Sequence, residues 1–305
     1  AAGTAYPGTF TIGLSSWIGY APLFVALEKG FFEKNGLTVA IQKIESGSDR
    51  RSAIAANRIQ GMASTVDAVV IAVANGIPIT QVLALDMSNG GDGLVAKKEY
   101  NSLEDLKGKT VALDTSGVAS YFWFHVLLKQ RGLTIDQFDV QSMGAGDAGA
   151  AFVAGRVDAA LTWQPWLTRA SETSFGKVLI SSSETPGVIT DSLSIRKDII
   201  EKYPDAVQAI VNGWMEAVEY AKTSPTEANE IMAKAMGQTV DEFVATLPDV
   251  LFYDKKDNIS YLGSSSKPGE INEILTMASD LWSSMGEIPT KPDIASLVNY
   301  TFVNK

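Results

Sequence analysis

Asp67, Asp86, Asp92 and Asp191 fall in short segments rich in Ser, Thr and Gly, and Trp17, Tyr20, Tyr121, Trp163 and Trp166 fall between them. The segments are 15–20, 64–67, 86–92, 115–121, 162–166 and 189–191, and none of them contains Lys or Arg. Carboxylates interleaved with aromatic rings suit a cation, held by charge-assisted hydrogen bonds and by ring faces that contribute roughly 0.5–2 kcal/mol each. An anion in the same place would depend on helix N-termini and hydroxyls alone, which is physically sufficient but makes no use of the carboxylates. The residues therefore favour a small ligand with a positive nitrogen, either purely cationic or zwitterionic in the manner of an aminosulfonate.

Each of these residues also has an ordinary structural reading. Asp67 and Asp147 stand where helices begin and suit the capping of backbone N–H groups, worth about 1 kcal/mol each. Asp86 ends an apolar strand, and Asp92 follows Gly90 and Gly91, where Asp commonly satisfies turn amides. Trp163 precedes Pro165, which fixes the following turn and aims the indole, so a wall of the binding cleft is its expected place. Trp214 and Trp282 lie on amphipathic stretches and read as core.

Catalytic constellations are missing. There is no Cys, and the single histidine, His125, sits in a helical stretch beside Phe124 and Val126 with no serine elbow near it, so it reads as structural. Asp86 and Asp92 could share acid–base work, but sequence gives no distance between them. The glycines at 90–91 and the turn at Ser116 and Gly117 lack the spacing and the Lys of a nucleotide loop. No loop carries the closely spaced carboxylates of a calcium site, and no cofactor or metal is expected.

The elements that must carry these segments show an internal duplication. Residues 10–14 alternate like a strand and lead through a Ser/Gly turn into a helical stretch ending near Gly30; residues 109–113 do the same, ending near Gly132. Second strands at 37–41 and 138–141 are each followed by a turn and a small-residue helix, beginning near Ser48 and Gly146. Both copies then close on matching junctions at 57–64 and 155–162. Two β-α-β-α-β units follow, each with its own mainly parallel sheet. The runs 93–98 and 192–197 read as the two crossovers between lobes, with the hinge near Lys97 and Ile195. Helices starting at Pro204 and Pro225, then 240–247 and 271–285, return to the first lobe. Lobe 1 is expected to be 1–93 plus 196–305, and lobe 2 to be 94–195. Ligands in such sheets sit beyond the carboxyl ends of the strands, which gathers the six segments at one cleft.

Composition agrees with a folded two-lobed chain: 305 residues, 46% apolar, 20% charged, six Trp and no low-complexity block. A net charge of −10 argues against nucleic acid as a partner. The longest apolar run, 68–74, is far short of the roughly 18 residues that span a bilayer. The opening Ala1, Ala2, Gly3, Thr4 and Ala5 read as the remainder of a cleaved leader, with membrane tethering through a removed N-terminal segment.

The run 106–112, the small-residue run 148–159, Trp163-Gln164-Pro165-Trp166, and Pro186 to Asp191, in this order and spacing, resemble the nitrate/sulfonate/taurine-type periplasmic substrate-binding proteins of ABC importers. The resemblance covers residues 10 to 302. It implies an α/β, two-lobed periplasmic-binding-protein type II fold that closes over ligand in the interlobe cleft. It further implies a periplasmic or extracytoplasmic, monomeric, non-enzymatic solute-binding subunit, partnered by ABC permease transmembrane subunits and a cytoplasmic ATPase. The run 86–93 with Asp191 resembles the branch associated with urea-carboxylase operons and guanidine uptake. On this reading Ser15, Trp17, Tyr20, Thr65, Asp67, Asp92, Ser116, Ser120, Trp163 and Asp191 form the contact shell of an amine-bearing solute such as guanidine or a taurine-like molecule. The alternatives are the same transport role for nitrate, bicarbonate or an alkylsulfonate, or a pyrimidine-synthase-like or hydrolytic enzyme on the same fold.

Overall fold

The computed structural model describes residues 5–116, 119–264 and 266–305. Residues 1–4 of the leader-like opening, and Gly117 and Val118 of the second turn, lie outside the described residues. In chain order the elements are β1 (Phe10–Leu14), α1 (Ala21–Glu28), α2 (Phe31–Lys34), β2 (Val39–Lys43), α3 (Gly47–Ala55), β3 (Gly61–Thr65), α4 (Val66–Ala74) and β4 (Ile79–Ser88). There follow β5 (Asp92–Lys97), β6 (Thr110–Leu113), α5 (Ala119–Gln130), β7 (Asp139–Ser142), α6 (Ala145–Val153), β8 (Ala159–Trp163), α7 (Trp166–Ser171) and β9 (Gly176–Ser181). The chain ends with β10 (Thr190–Arg196), α8 (Lys197–Lys202), α9 (Pro204–Thr223), α10 (Pro225–Met236), α11 (Val240–Thr246), β11 (Val250–Phe252), α12 (Lys255–Leu262) and α13 (Ile271–Ser284). Among the described residues no helix is long and apolar enough to cross a membrane.

The chain divides into two compact units. The first comprises the residues up to Met87 with Thr190–Leu247 and Leu251–Lys305, and the second comprises Ser88–Ile189 with Pro248–Val250. The first has a six-stranded sheet in the order β11-β4-β10-β3-β1-β2, and the second a five-stranded sheet in the order β7-β6-β8-β5-β9. In each, the duplicated β-α-β-α-β motif supplies the parallel strands: β2, β1 and β3 in one, β7, β6 and β8 in the other.

The runs taken from sequence as crossovers are strands well inside the sheets. β5 lies antiparallel between β8 and β9, and β10 lies antiparallel between β3 and β4. Both are buried along nearly their whole length; β5 reads as an apolar run at Leu94, Val95 and Ala96, as a strand covered on both faces does, whereas β10 buries Ser192 and Ser194 between Asp191, Leu193 and Ile195. The chain changes unit at their N-terminal ends, after Met87 and after Ile189. Two elements near the C-terminus, β11 and α12, escaped the sequence reading because β11 is only three residues long.

Helix α4 is apolar on all sides except at its end, and it is correspondingly buried. Helix α9 buries one stripe, including Ala206, Val207, Ile210, Trp214 and Ala217. The α9 stripe needs Gly213, where a Cβ would fall 2.5 Å from the Phe32 ring. Trp214 and Trp282 are fully buried as expected, and the Trp214 indole N–H donates to the carbonyl of Tyr253 at 2.9 Å.

Asn258 of α12 completes the outer side of β4. Its Oδ1 accepts from the Ala84 N–H at 2.8 Å and its Nδ2 donates to the Ala84 carbonyl at 2.9 Å, while the Tyr253 N–H serves the neighbouring Leu85 carbonyl. A side-chain amide thus stands in for one rung of a strand. Asn258→Ala leaves a buried donor and acceptor without partners and should cost about 3 kcal/mol in urea unfolding; a loss under about 1 kcal/mol would show that water replaces the amide.

Candidate functional site

The first unit presents the carboxyl ends of β1, β3 and β4 and the N-terminal end of β10 along one edge. Asp191 on β10 stands opposite Thr65 on β3 and opposite Asp86 on β4. The ladder slips just beyond this point, so that Ser192 pairs with Ala84 and the intervening Leu85 bulges; a bulge of this kind re-aims the neighbouring side chain. Facing residues of antiparallel strands project from the same face, so Thr65, Asp191 and Asp86 form a row.

Asp86 is 0% exposed and Asp191 3%. The single helical turn Ile18–Tyr20 after β1 serves both carboxylates. The Trp17 indole N–H donates to Asp86 Oδ1 at 2.8 Å, and the Tyr20 hydroxyl donates to Asp191 Oδ1 at 2.5 Å. Gly19 lies between these donors, and a Cβ there would fall 2.1 Å from the Asp86 carboxyl carbon, so only glycine admits the carboxylate so close to the turn. Burial and the adjacent Asp191 charge hold the Tyr20 hydroxyl well above its ordinary pKa, so it remains protonated and a donor.

Asp67 lies in the first turn of α4, whose N-cap residue Thr65 makes no side-chain capping hydrogen bond. It is 2% exposed, and its Oδ2 has no hydrogen-bond partner. Burial pushes this carboxyl up to about 6, against the pull of Thr65, of the N–H groups of Asp67 and Ala68, and of Arg51. The start of α4 is pinned by Trp282, whose indole N–H donates to the Asp67 carbonyl at 3.2 Å.

Sequence segments free of Lys and Arg do not make an edge free of positive charge, because α3 brings Arg50 within electrostatic reach of Tyr20 and Arg51 within reach of Asp67. Arg50 is buried and donates through one terminal nitrogen to the carbonyls of Ile44 and Glu45 at 2.6 and 2.9 Å, while its Nε–H has no partner. The sequence held the signal: the connection after β2 lies at the same edge as those after β1 and β3, and the arginines follow it directly. Ser15 follows β1 and is half-buried.

The second unit builds a parallel arrangement from other residues. Asp92 at the start of β5 is paired in register with Trp163 at the end of β8. Asp92 is 6% exposed, and burial raises its carboxyl to about 6, with a hydrogen bond from Ser88 opposing. Ser88 Oγ accepts from the Asp92 N–H at 3.1 Å and contacts Ser182 Oγ at 2.8 Å. Ser120, in the first turn of α5, is buried and its Oγ has no hydrogen-bond partner. Ser116 is exposed, its N–H donating to Asp114 Oδ1 at 2.9 Å. Trp163 is half-buried. Trp166 packs on α6, where a Cβ at Gly149 would come within 2.6 Å of it, and the Arg169 guanidinium lies 4.7 Å from its ring centre. Asp147 lies in the first turn of α6 and Gly144 caps that helix without a side-chain bond. His125 packs edge-on against Tyr121, and burial holds its pKa below the usual value.

Comparison with known proteins places this architecture. The model of the NMT1-like family matches residues 4–237. The taurine-binding periplasmic protein of Escherichia coli is 28% identical over 190 residues, covering 61% of this chain and 58% of that protein. The nitrate import ATP-binding protein NrtC of Synechocystis is 26% identical over 223 residues, covering 66% of this chain and 33% of that protein. Among solved structures, the alkanesulfonate-binding protein SsuA of Xanthomonas axonopodis, bound to MOPS, superposes with a TM-score of 0.80 at 17% identity, covering 99% of this chain and 100% of that one. These relatives are named for binding or importing small solutes, and the similarity to nitrate/sulfonate/taurine-type binding proteins read from the sequence holds. With most of its length matched, the chain belongs to the NMT1-like family, and its two-sheet α/β fold is that of the periplasmic binding proteins.

Proposed function

We propose that this chain is the extracytoplasmic solute-binding subunit of an ABC importer, a monomer that closes its two lobes on a small amine-bearing solute and performs no covalent chemistry. The solute is cationic or zwitterionic, of the size and chemistry of guanidine or taurine. It is delivered to permease transmembrane subunits driven by a cytoplasmic ATPase, in keeping with relatives named for taurine binding and nitrate import. The observation that carries the ligand class is the row in which Asp86 and Asp191 face each other across two buried strands. Like charges directly opposite one another are destabilising, and a bound cation relieves that repulsion. Asp67, with a carboxylate oxygen that lacks a partner, adds a third acceptor on the same edge. Asp92 beside Trp163 gives the other unit a carboxylate and an aromatic face.

A second reading has its own support. Arg50 and Arg51, with the N-terminus of α3, supply positive charge at the first unit's edge. They suit the acidic end of a zwitterion, or a simple anion such as nitrate, bicarbonate or an alkylsulfonate. Catalysis is disfavoured by His125: its Nε2 is buried with no hydrogen-bond partner and so activates no nucleophile.

Thermal-shift measurements with guanidinium, taurine, small alkylamines, nitrate, bicarbonate and alkylsulfonates separate these readings, since specific binding raises the midpoint by mass action. Guanidinium or an amino-bearing solute should stabilise the protein at pH 7.5 and much less at pH 5, because Asp67 and Asp92 take up protons as the pH falls through about 6. Stabilisation by the simple anions alone would overturn the amine-bearing ligand and keep the import role. The ligand-free protein has the opposite dependence. A carboxyl raised from its ordinary value stabilises the fold fully at low pH, and that contribution is lost as the pH rises through about 6. Asp67→Asn should therefore melt no lower than the parent at pH 7.5, yet bind the amine-bearing solute at least about tenfold more weakly by calorimetry; equal affinity would make Asp67 purely structural. Trp163→Ala should lose at least about tenfold in affinity without unfolding, and an unchanged affinity would move Trp163 to the packing of β8.

A further inference from the structure

Residues Pro248–Val250 belong to the second unit although the chain on both sides of them belongs to the first. This is a second entry of the chain into that unit, made by the single helical turn Leu247–Asp249 and the start of β11. Its anchor is Asp249. The Asp249 carbonyl accepts from the N–H groups of Asn89 and Gly91 at 2.9 and 3.1 Å, and Asn89 Nδ2 donates to the Pro248 carbonyl at 3.3 Å. The Asp249 carboxylate accepts from Gln164 Nε2 at 2.8 Å. Between these contacts Gly90, at a φ of +116°, leaves the space in which a Cβ would stand 3.2 Å from Asp249 Oδ1.

The two segments so gripped are the ones that end in the candidate ligand residues. Gly91 precedes Asp92 and Gln164 follows Trp163. They are joined to each other by the Gln164 N–H donating to the Gly91 carbonyl at 2.9 Å, and Asp92 and Trp163 are register partners. Gln164 is held in turn through its Oε1, which accepts from the N–H and hydroxyl of Thr168 at 3.2 and 2.9 Å. From this geometry we infer that Asp249 is a positioning residue for ligand binding: by clamping the 89–91 turn and Gln164 together, it sets the separation and aim of Asp92 and Trp163 on the second unit's edge. The binding role rests on the importer reading; the clamp itself does not. Nothing in the sequence marks Asp249, since it lies more than eighty residues from either partner and in a stretch that otherwise serves the first unit.

The test pairs a readout that needs no ligand with one that does. In hydrogen exchange of the full chain, Asp249→Ala should speed exchange by about tenfold or more at 88–93 and 162–165 while the rest of the protein changes little, as for a local opening. Its affinity for whichever of guanidinium or taurine stabilises the parent protein should fall at least about fivefold, while Asp249→Asn, which keeps an acceptor for Gln164, stays within about twofold. Should Asp249→Ala fail to fold, Gln164→Met removes the same side-chain bond from the other partner and should give the same local pattern. Unchanged exchange at the two segments, or loss of protection spread over the whole chain, overturns the clamp. Local opening with unaltered affinity overturns the positioning role. A parent protein that neither solute stabilises overturns the amine-bearing ligand, and the exchange measurement still decides the clamp.

Discussion

Buried carboxylates side by side are the constraint to which the first unit is built. Asp86 and Asp191 are placed opposite each other by strand register, and moving such groups out of water costs several kcal/mol per ion unless donors or counter-charges face them. The donors come from one turn of chain after β1, in which Trp17 serves Asp86 and Tyr20 serves Asp191. Gly19 between them has no Cβ because the Asp86 carboxylate occupies that place. The bulge at Leu85 shifts the ladder immediately beyond the pair. Turn, glycine and bulge are separate features in the sequence, and all three answer to the same two charges.

The sheets themselves explain why polar groups collect at those strand ends. In each unit a βαβ pattern sends every parallel strand toward the same edge, so that the loops following β1 and β3, or β6 and β8, emerge together. A central antiparallel strand then brings in a residue from a distant part of the chain. β10 carries Asp191 to the end of β3 and β4, and β5 carries Asp92 to the end of β8. Each unit thus obtains an acidic group at the edge from the strand that runs against the others. The two edges differ in their aromatic partners: in the first, indole and phenol act as hydrogen-bond donors to carboxylates, and in the second, Trp163 stands directly across from Asp92.

Most of the architecture was legible in the sequence because it rests on short-range periodicity. The duplicated strand, turn and helix pattern, the Pro-started helices α9 and α10, and the burial of Trp214 and Trp282 all follow from which residues are apolar and at what spacing. The reading of the elements differs from the structure at β5 and β10: the apolar run Leu94–Ala96 is buried on both faces and has no alternation to distinguish a central strand from a connecting one, and the serines at 192 and 194 read as edge residues although both are buried inside the sheet. The arginines of α3 were passed over for a related reason: the segments were judged by their own residues, while Arg50 and Arg51 reach the edge from a helix that follows the outermost strand.

Composition, periodicity and motif order by themselves determined the fold class and the duplication, since both depend on neighbours a few residues apart, and they named the polar and aromatic groups expected at the strand ends. Only the tertiary structure decided what those groups do to one another. Trp17 is a donor to Asp86, Asp86 and Asp191 face each other in one row, and Asp249 reaches across to Gln164. Strand register and long-range hydrogen bonds join residues whose separation along the chain leaves no local trace, and the charge of a buried carboxyl depends on everything packed around it.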